Sequence, residues 1–123
     1  MSETTQFPPS SIAPFEWLEA EDGTASVCLE AGEYKAEIFQ SREEEGFLGN
    51  GYDWGSLIQV FLQERHSEWQ EYIEMDPESA SISVYCNAKE NAREMLYEFI
   101  RAFVAACEDD AVIRDLFSRA ELD

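Results

Sequence analysis

At 123 residues with 45% apolar side chains, the chain has room for one domain with a single core and is too apolar to be a disordered acidic tail. Eight Lys and Arg against 27 Asp and Glu give a formal net charge of −19 and a pI near 4.1. Phosphate contacts need Lys and Arg, so this balance argues against nucleic acid and anionic lipid and points to a protein partner with a basic face.

The N-terminal residues 1–11 are polar with a Pro8-Pro9 pair, which predicts a loose arm ahead of one α+β domain over 12–123. They contain neither a basic region nor an apolar run, so no signal peptide is expected. No stretch approaches the ~18 apolar residues of a membrane span, and the expected compartment is the cytoplasm. Cys28, Cys86 and Cys107 lie in apolar-patterned segments without C-x-x-C spacing, which fits reduced core thiols.

Ile12 to Glu19, carrying Phe15, Trp17 and Leu18, reads as a first strand, closed by a turn at Glu21-Asp22-Gly23-Thr24. Ala25 to Glu30 alternates, with Val27 and Leu29 on one side. After a turn at Ala31-Gly32-Glu33, Tyr34 to Phe39 alternates again and predicts a third strand of an antiparallel meander. Arg42-Glu43-Glu44-Glu45 is a charged loop. It is either a solvated face or an acidic contact patch, and lacks the loop pattern of a calcium site.

Gly46 to Leu62 joins the strand-like half of the chain to the helix-like half. Gly49-Asn50-Gly51 is a turn signal in which Asn50 and Gly51 tolerate positive φ. Asp53 stands where an N-cap is expected, and Trp54, Leu57, Ile58, Phe61 and Leu62 form the apolar face of a helix from Trp54 to about Glu64, with Trp69 as its far limit. The same stretch also reads as a recognition loop, because Tyr52 and Trp54 flank an acid and could present rigid aromatic surface.

Trp69 to Met75 reads as a strand, Asp76-Pro77-Glu78-Ser79 as a turn, and Ala80 to Cys86 as a strand with Ile82, Val84 and Cys86 inward and Tyr85 outward. Asn87 is the next N-cap candidate, opening a long helix to about Cys107 whose stripe runs through Leu96, Phe99, Ile100, Phe103 and Val104. A last helix is predicted from Asp110 to Ala120. The architecture expected is α+β: an antiparallel sheet of about five strands with two to three helices packed mainly on one face.

Several of these segments are similar to a known signature. Glu44-Glu45-Gly46-Phe47, Gly49-Asn50-Gly51-Tyr52-Asp53-Trp54, Ser56-Leu57 and Val60-Phe61-Leu62 resemble the bacterial polymorphic-toxin immunity family immunity protein 51. Asp115-Leu116 and Ser118 to Asp123 resemble its closing segment. The resemblance implies a small cytoplasmic α+β protein that binds and neutralises the C-terminal toxin domain of a cognate secreted protein. It carries over no catalytic residue.

The residues themselves offer little chemistry. His66, the single histidine, falls at a helix end among Glu64, Arg65 and Glu68, away from any cysteine signature. No phosphate loop, zinc spacing or H-E-x-x-H motif is present, so neither an enzyme nor a cofactor is expected. The candidate toxin contacts are Glu43, Glu44, Glu45, Tyr52 and Asp53, with Glu78 and Tyr85 further out. Gly49, Asn50, Gly51 and Trp54 are the motif that shapes the loop. The competing reading is a small acidic ligand-binding domain or enzyme with a pocket near the Gly49–Trp54 loop.

Overall fold

The computed structural model describes residues 12, 14–21 and 24–121. The expected arm over 1–11 lies outside these, as do Asp22 and Gly23 of the first expected turn. Strands β1 (Glu16–Glu19), β2 (Ala25–Glu30), β3 (Ile73–Pro77) and β4 (Ser81–Cys86) form one antiparallel sheet in the order β1-β2-β4-β3. The helices are α1 (Ala36–Gln40), α2 (Gly51–Arg65), α3 (Ala92–Glu108) and α4 (Asp110–Phe117).

The alternation in β2 and β4 sorts the sheet into two faces. Trp17, Val27, Val84 and Met75 lie in register on one side, as do Leu29, Ile82 and Pro77. Val27, Ile82 and Val84 are fully buried there under α2 and α3. The opposite face carries two rows, Leu18–Ser26–Tyr85–Glu74 and Glu16–Cys28–Ser83–Asp76, with Glu30 beside Ser81. No described helix covers these rows.

The α3 stripe is as expected: Leu96, Phe99, Ile100, Phe103 and Cys107 have almost no solvent contact. Phe103 meets Phe15, Trp54 and Phe61 edge-on, so α3 ties the sheet to α2. In α4, Ile113, Leu116 and Phe117 complete the core, and the Asp109 side chain accepts from the Val112 N–H as N-cap.

Several expectations are corrected, and the described residues form four α-helices where two to three were expected. Tyr34 to Phe39 is not a strand: α1 covers its second half, so the sheet has four strands and β2 pairs with β4. The apparent alternation was shallow, because Ile38 and Phe39 are both buried, as one face of a helical turn allows and a surface strand does not. β3 begins at Ile73, Trp69 falls in a 3₁₀ turn, and Pro77 ends the edge strand rather than making the turn. Asn87 does not cap α3; its side-chain amide reaches the Glu71 carbonyl and Glu74, and the helix starts after Asn91, whose φ is +61°. α4 closes at Phe117, short of Ala120. Asp53 is not the cap of α2.

Candidate functional site

Asn50 holds the cap position instead. Its side-chain oxygen accepts from the Asp53 N–H at 2.9 Å, and α2 starts at Gly51. Asp53 is the third residue inside the helix and reaches back: its Oδ2 accepts from the N–H groups of Leu48 (2.6 Å) and Gly49 (2.8 Å). Reciprocal bonding of this kind satisfies donors on both sides of the helix start, much as a capping box does. The positive φ falls on Gly49 (+76°), while Asn50 is extended and Gly51 does not enter the left-handed region. What Gly51 supplies is room. A Cβ there would stand 2.0 Å from the Glu78 carbonyl oxygen and 2.1 Å from that of Ser81, so the helix start rests on the β3–β4 turn.

Trp54 is fully buried and offers no surface to a partner. Its ring stacks on Tyr34 at 5.8 Å and packs against Phe39 at 5.1 Å, and its Nε1–H has no hydrogen-bond acceptor among the described residues. The loop therefore builds the core around Trp54. Its exposed side chains are Leu48, 78% accessible, and Tyr52, 43%.

The three glutamates form a 3₁₀ turn and have different partners. Glu45 is held by Arg42 through Nη2 (2.7 Å) and Nε (2.9 Å), and these bonds keep its carboxyl below the usual range. Arg42 also donates through Nη1 to the Phe117 and Ala120 carbonyls (2.9 Å to Ala120), closing the end of α4 with its guanidinium over the Phe47 and Phe117 rings. Glu43 and Glu44 form no such pair. They rim an open groove of about 520 Å³ lined by Tyr34, Phe39, Phe47 and Leu48.

The candidate residues thus fall in two places. Glu43 and Glu44 gather with Leu48 around the loop; Tyr52 follows Gly51, against which the Glu78 carbonyl packs. Tyr85 lies near the other end of β4 on the open face of the sheet, beside Glu74. The Glu74 charge, then burial, pushes the Tyr85 hydroxyl above its ordinary pKa. Asp53 is buried, and its Oδ2 is committed to two backbone N–H groups. Sequence reasoning missed Leu48 and Leu18, the other exposed large aliphatic side chain at 50%. Leu48 belongs to no periodic stripe, and that was the available signal. Nothing local marked Arg42 as the clamp on a helix more than seventy residues away.

The reactive side chains are dispersed. His66 stacks on Trp69 at 4.2 Å, with Nδ1 3.0 Å from Glu68. The three thiols are free, and burial pushes Cys107 up to about 12. Among the described residues no three His, Cys, Asp or Glu side chains are grouped so as to hold a metal, and no helix is long and apolar enough to cross a membrane. The site offers exposed aromatic, aliphatic and carboxylate surface on a rigid frame.

No curated protein and no solved structure matches the chain. The family model described as immunity protein 51 matches residues 15–122, taking in the sheet, the Gly46–Leu62 stretch and α4. With nearly its whole length matched, the chain belongs to the immunity protein 51 family.

Proposed function

We propose that this protein binds and neutralises the effector domain of a cognate secreted toxin, inside the cell that makes both. Family membership carries the reading. The mechanism is occlusion: the protein works by covering the toxin's functional surface, and catalyses nothing. A net charge of −19 favours a basic target, and a nuclease, whose phosphate-binding surface must present Lys and Arg, is the toxin class that fits best. Steering by that charge would raise the encounter rate roughly 10- to 10³-fold at low salt. Of the candidate contacts, Glu43, Glu44, Leu48, Tyr52 and Glu78 around the loop and Tyr85 on the sheet are exposed and so open to a partner; Glu45, Asp53 and Trp54 hold structure. A second reading rests on the groove beside the loop, whose aromatic floor and two free glutamates suit a small organic cation.

The test is a titration at ~150 mM salt against the C-terminal toxin domain encoded immediately upstream of this gene, paired with rescue of cells expressing that domain. Nanomolar or tighter one-to-one binding and rescue are expected. A folded toxin domain that neither binds nor is suppressed would refute the proposal.

A further inference from the structure

We propose that the open face of the sheet, centred on Tyr85, is where the basic surface of the toxin docks. This inference rests on the immunity reading above and adds the location of the interface. Glu16, Glu30, Glu74 and Asp76 project from this face, one from each of β1, β2 and two from β3. None of the eight Lys and Arg of the chain lies in a strand, and no described cation pairs with these four carboxylates.

The helical layer is different. There Arg119 bridges Glu64 and Asp115, Arg114 bridges Asp110, and Lys35 bridges Glu108. The helices carry both signs of charge and the sheet carries one. A basic partner meets uncompensated carboxylate only where no intramolecular cation must first be displaced.

The face also has apolar anchors. Leu18 (50% exposed) and Tyr85 (39%) lie in one cross-strand row, separated by the small side chain of Ser26. An exposed tyrosine on a rigid strand is held at little entropic cost, the kind of residue that dominates binding energy at interfaces. The serine and cysteine positions around it leave the surface low, so long Lys and Arg side chains can lie across it and reach the acids. The loop patch is poorer in charge, since Glu45 is already paired and Asp53 is turned inward. A second copy would bring the same acids against these. Residues 1–11, with Glu3 and no Lys or Arg, have no charge to complement them.

Cys28 sits half-buried among these acids and gives a native reporter, whereas Cys86 points to the helical side. The experiment measures alkylation rates of both thiols by mass spectrometry, for the full chain free and saturated with the upstream-encoded toxin domain. Binding of the variant E16Q/E30Q/E74Q/D76N and of Tyr85→Ala is compared with the helix-face control E94Q/E98Q. We expect Cys28 to react at least about 10-fold more slowly in the complex, and affinity to fall about 30-fold or more for Tyr85→Ala and for the quadruple variant. The control should stay within about threefold. Circular dichroism and a denaturation midpoint show that each variant is folded.

Tight wild-type binding with unchanged Cys28 reactivity and unaffected variants would overturn the inference and leave the immunity function standing. Absence of wild-type binding removes both. Cys28 protection in the free protein that vanishes on deleting residues 1–11, or that grows with protein concentration alone, would assign the face to the chain's own arm or to a second copy and overturn the proposal.

Discussion

Substituting Gly51 tests the claim that α2 is seated directly on the β3–β4 turn. In Gly51→Ala the new methyl would stand 2.0 Å from the Glu78 carbonyl oxygen and 2.1 Å from that of Ser81. Both obstacles are backbone, so no side chain can rotate away, and the helix start must retreat by about 1.5 Å to reach an ordinary contact distance. That movement strains the Asn50 cap and the two Asp53 bonds. We expect a loss of about 3 kcal/mol from overpacking and weakened capping, offset by up to about 1 kcal/mol of helix propensity. The midpoint of thermal unfolding should fall by roughly 10 °C. Gly55→Ala is the matched control: its methyl would lie 3.7 Å from the Ile82 side chain, an ordinary contact, and stability should hold or rise by about 0.5–1 kcal/mol. Gly49→Ala has space but must keep φ at +76°, costing about 1 kcal/mol. Urea unfolding of the three variants should give the order 55, 49, 51 from most to least stable. A Gly51→Ala protein as stable as wild type, or a Gly55→Ala protein equally damaged, would refute the packing argument.

Three further outcomes follow from the site. Asp53→Ala leaves the Leu48 and Gly49 N–H groups without their acceptor and should cost about 2–4 kcal/mol, with Asp53→Asn intermediate and toxin affinity unchanged in both; wild-type stability with weakened binding would reverse its assignment. Arg42→Ala should cost about 2 kcal/mol through the Phe117 and Ala120 carbonyls and the aromatic stacking, and Arg42→Lys should fail to restore it because a lysine cannot span that geometry. Full recovery of the urea midpoint by lysine would count against the clamp. At alkaline pH, burial holds the protons of Cys107 and Tyr34 more tightly in the folded chain than in the unfolded one. Their contribution is therefore intact below pH ~9 and lost as pH rises above it. The urea midpoint should decline from pH 9 to 11 more steeply in wild type than in Cys107→Ala/Tyr34→Phe; equal slopes would refute this.

The elements legible in the sequence are those whose side chains repeat a period long enough to exclude alternatives. The stripe from Leu96 to Val104 and the strict alternation of Ser81 to Cys86 identified both elements, although α3 starts at Ala92 and not next to Asn87. The missed element, α1, has five residues, fewer than two helical turns, so its pattern fitted a strand equally well. Its start carries another concealment, since Lys35 adopts φ +56° where glycine or asparagine would have advertised the turn. The caps failed for a related reason. Asn50 and Asp53 are both good N-cap residues three positions apart, and only the contact of Gly51 with the β3–β4 turn decides between them. The division of the candidate contacts into a loop patch and a sheet patch was illegible because it depends on strand register. Tyr85 was placed outward correctly, and Glu74 faces it across the local β3–β4 hairpin, but Ser26 and Leu18, which extend its row, come from β2 and β1, about sixty residues earlier in the chain.

The strand order has a consequence for how this protein is made. β1–β2 and β3–β4 are local hairpins, but the two inner strands join residues about fifty apart, Leu29 against Ile82 among them. The sheet's middle seam therefore cannot close on the ribosome until β4 has emerged, and α3, which presses on both inner strands, follows it. Until then each hairpin presents an unpaired edge, and the acidic face exists only as two separate halves. Under the docking proposed above, a nascent chain would give no partial protection, because the surface that meets the toxin is assembled only when the last third of the chain has folded.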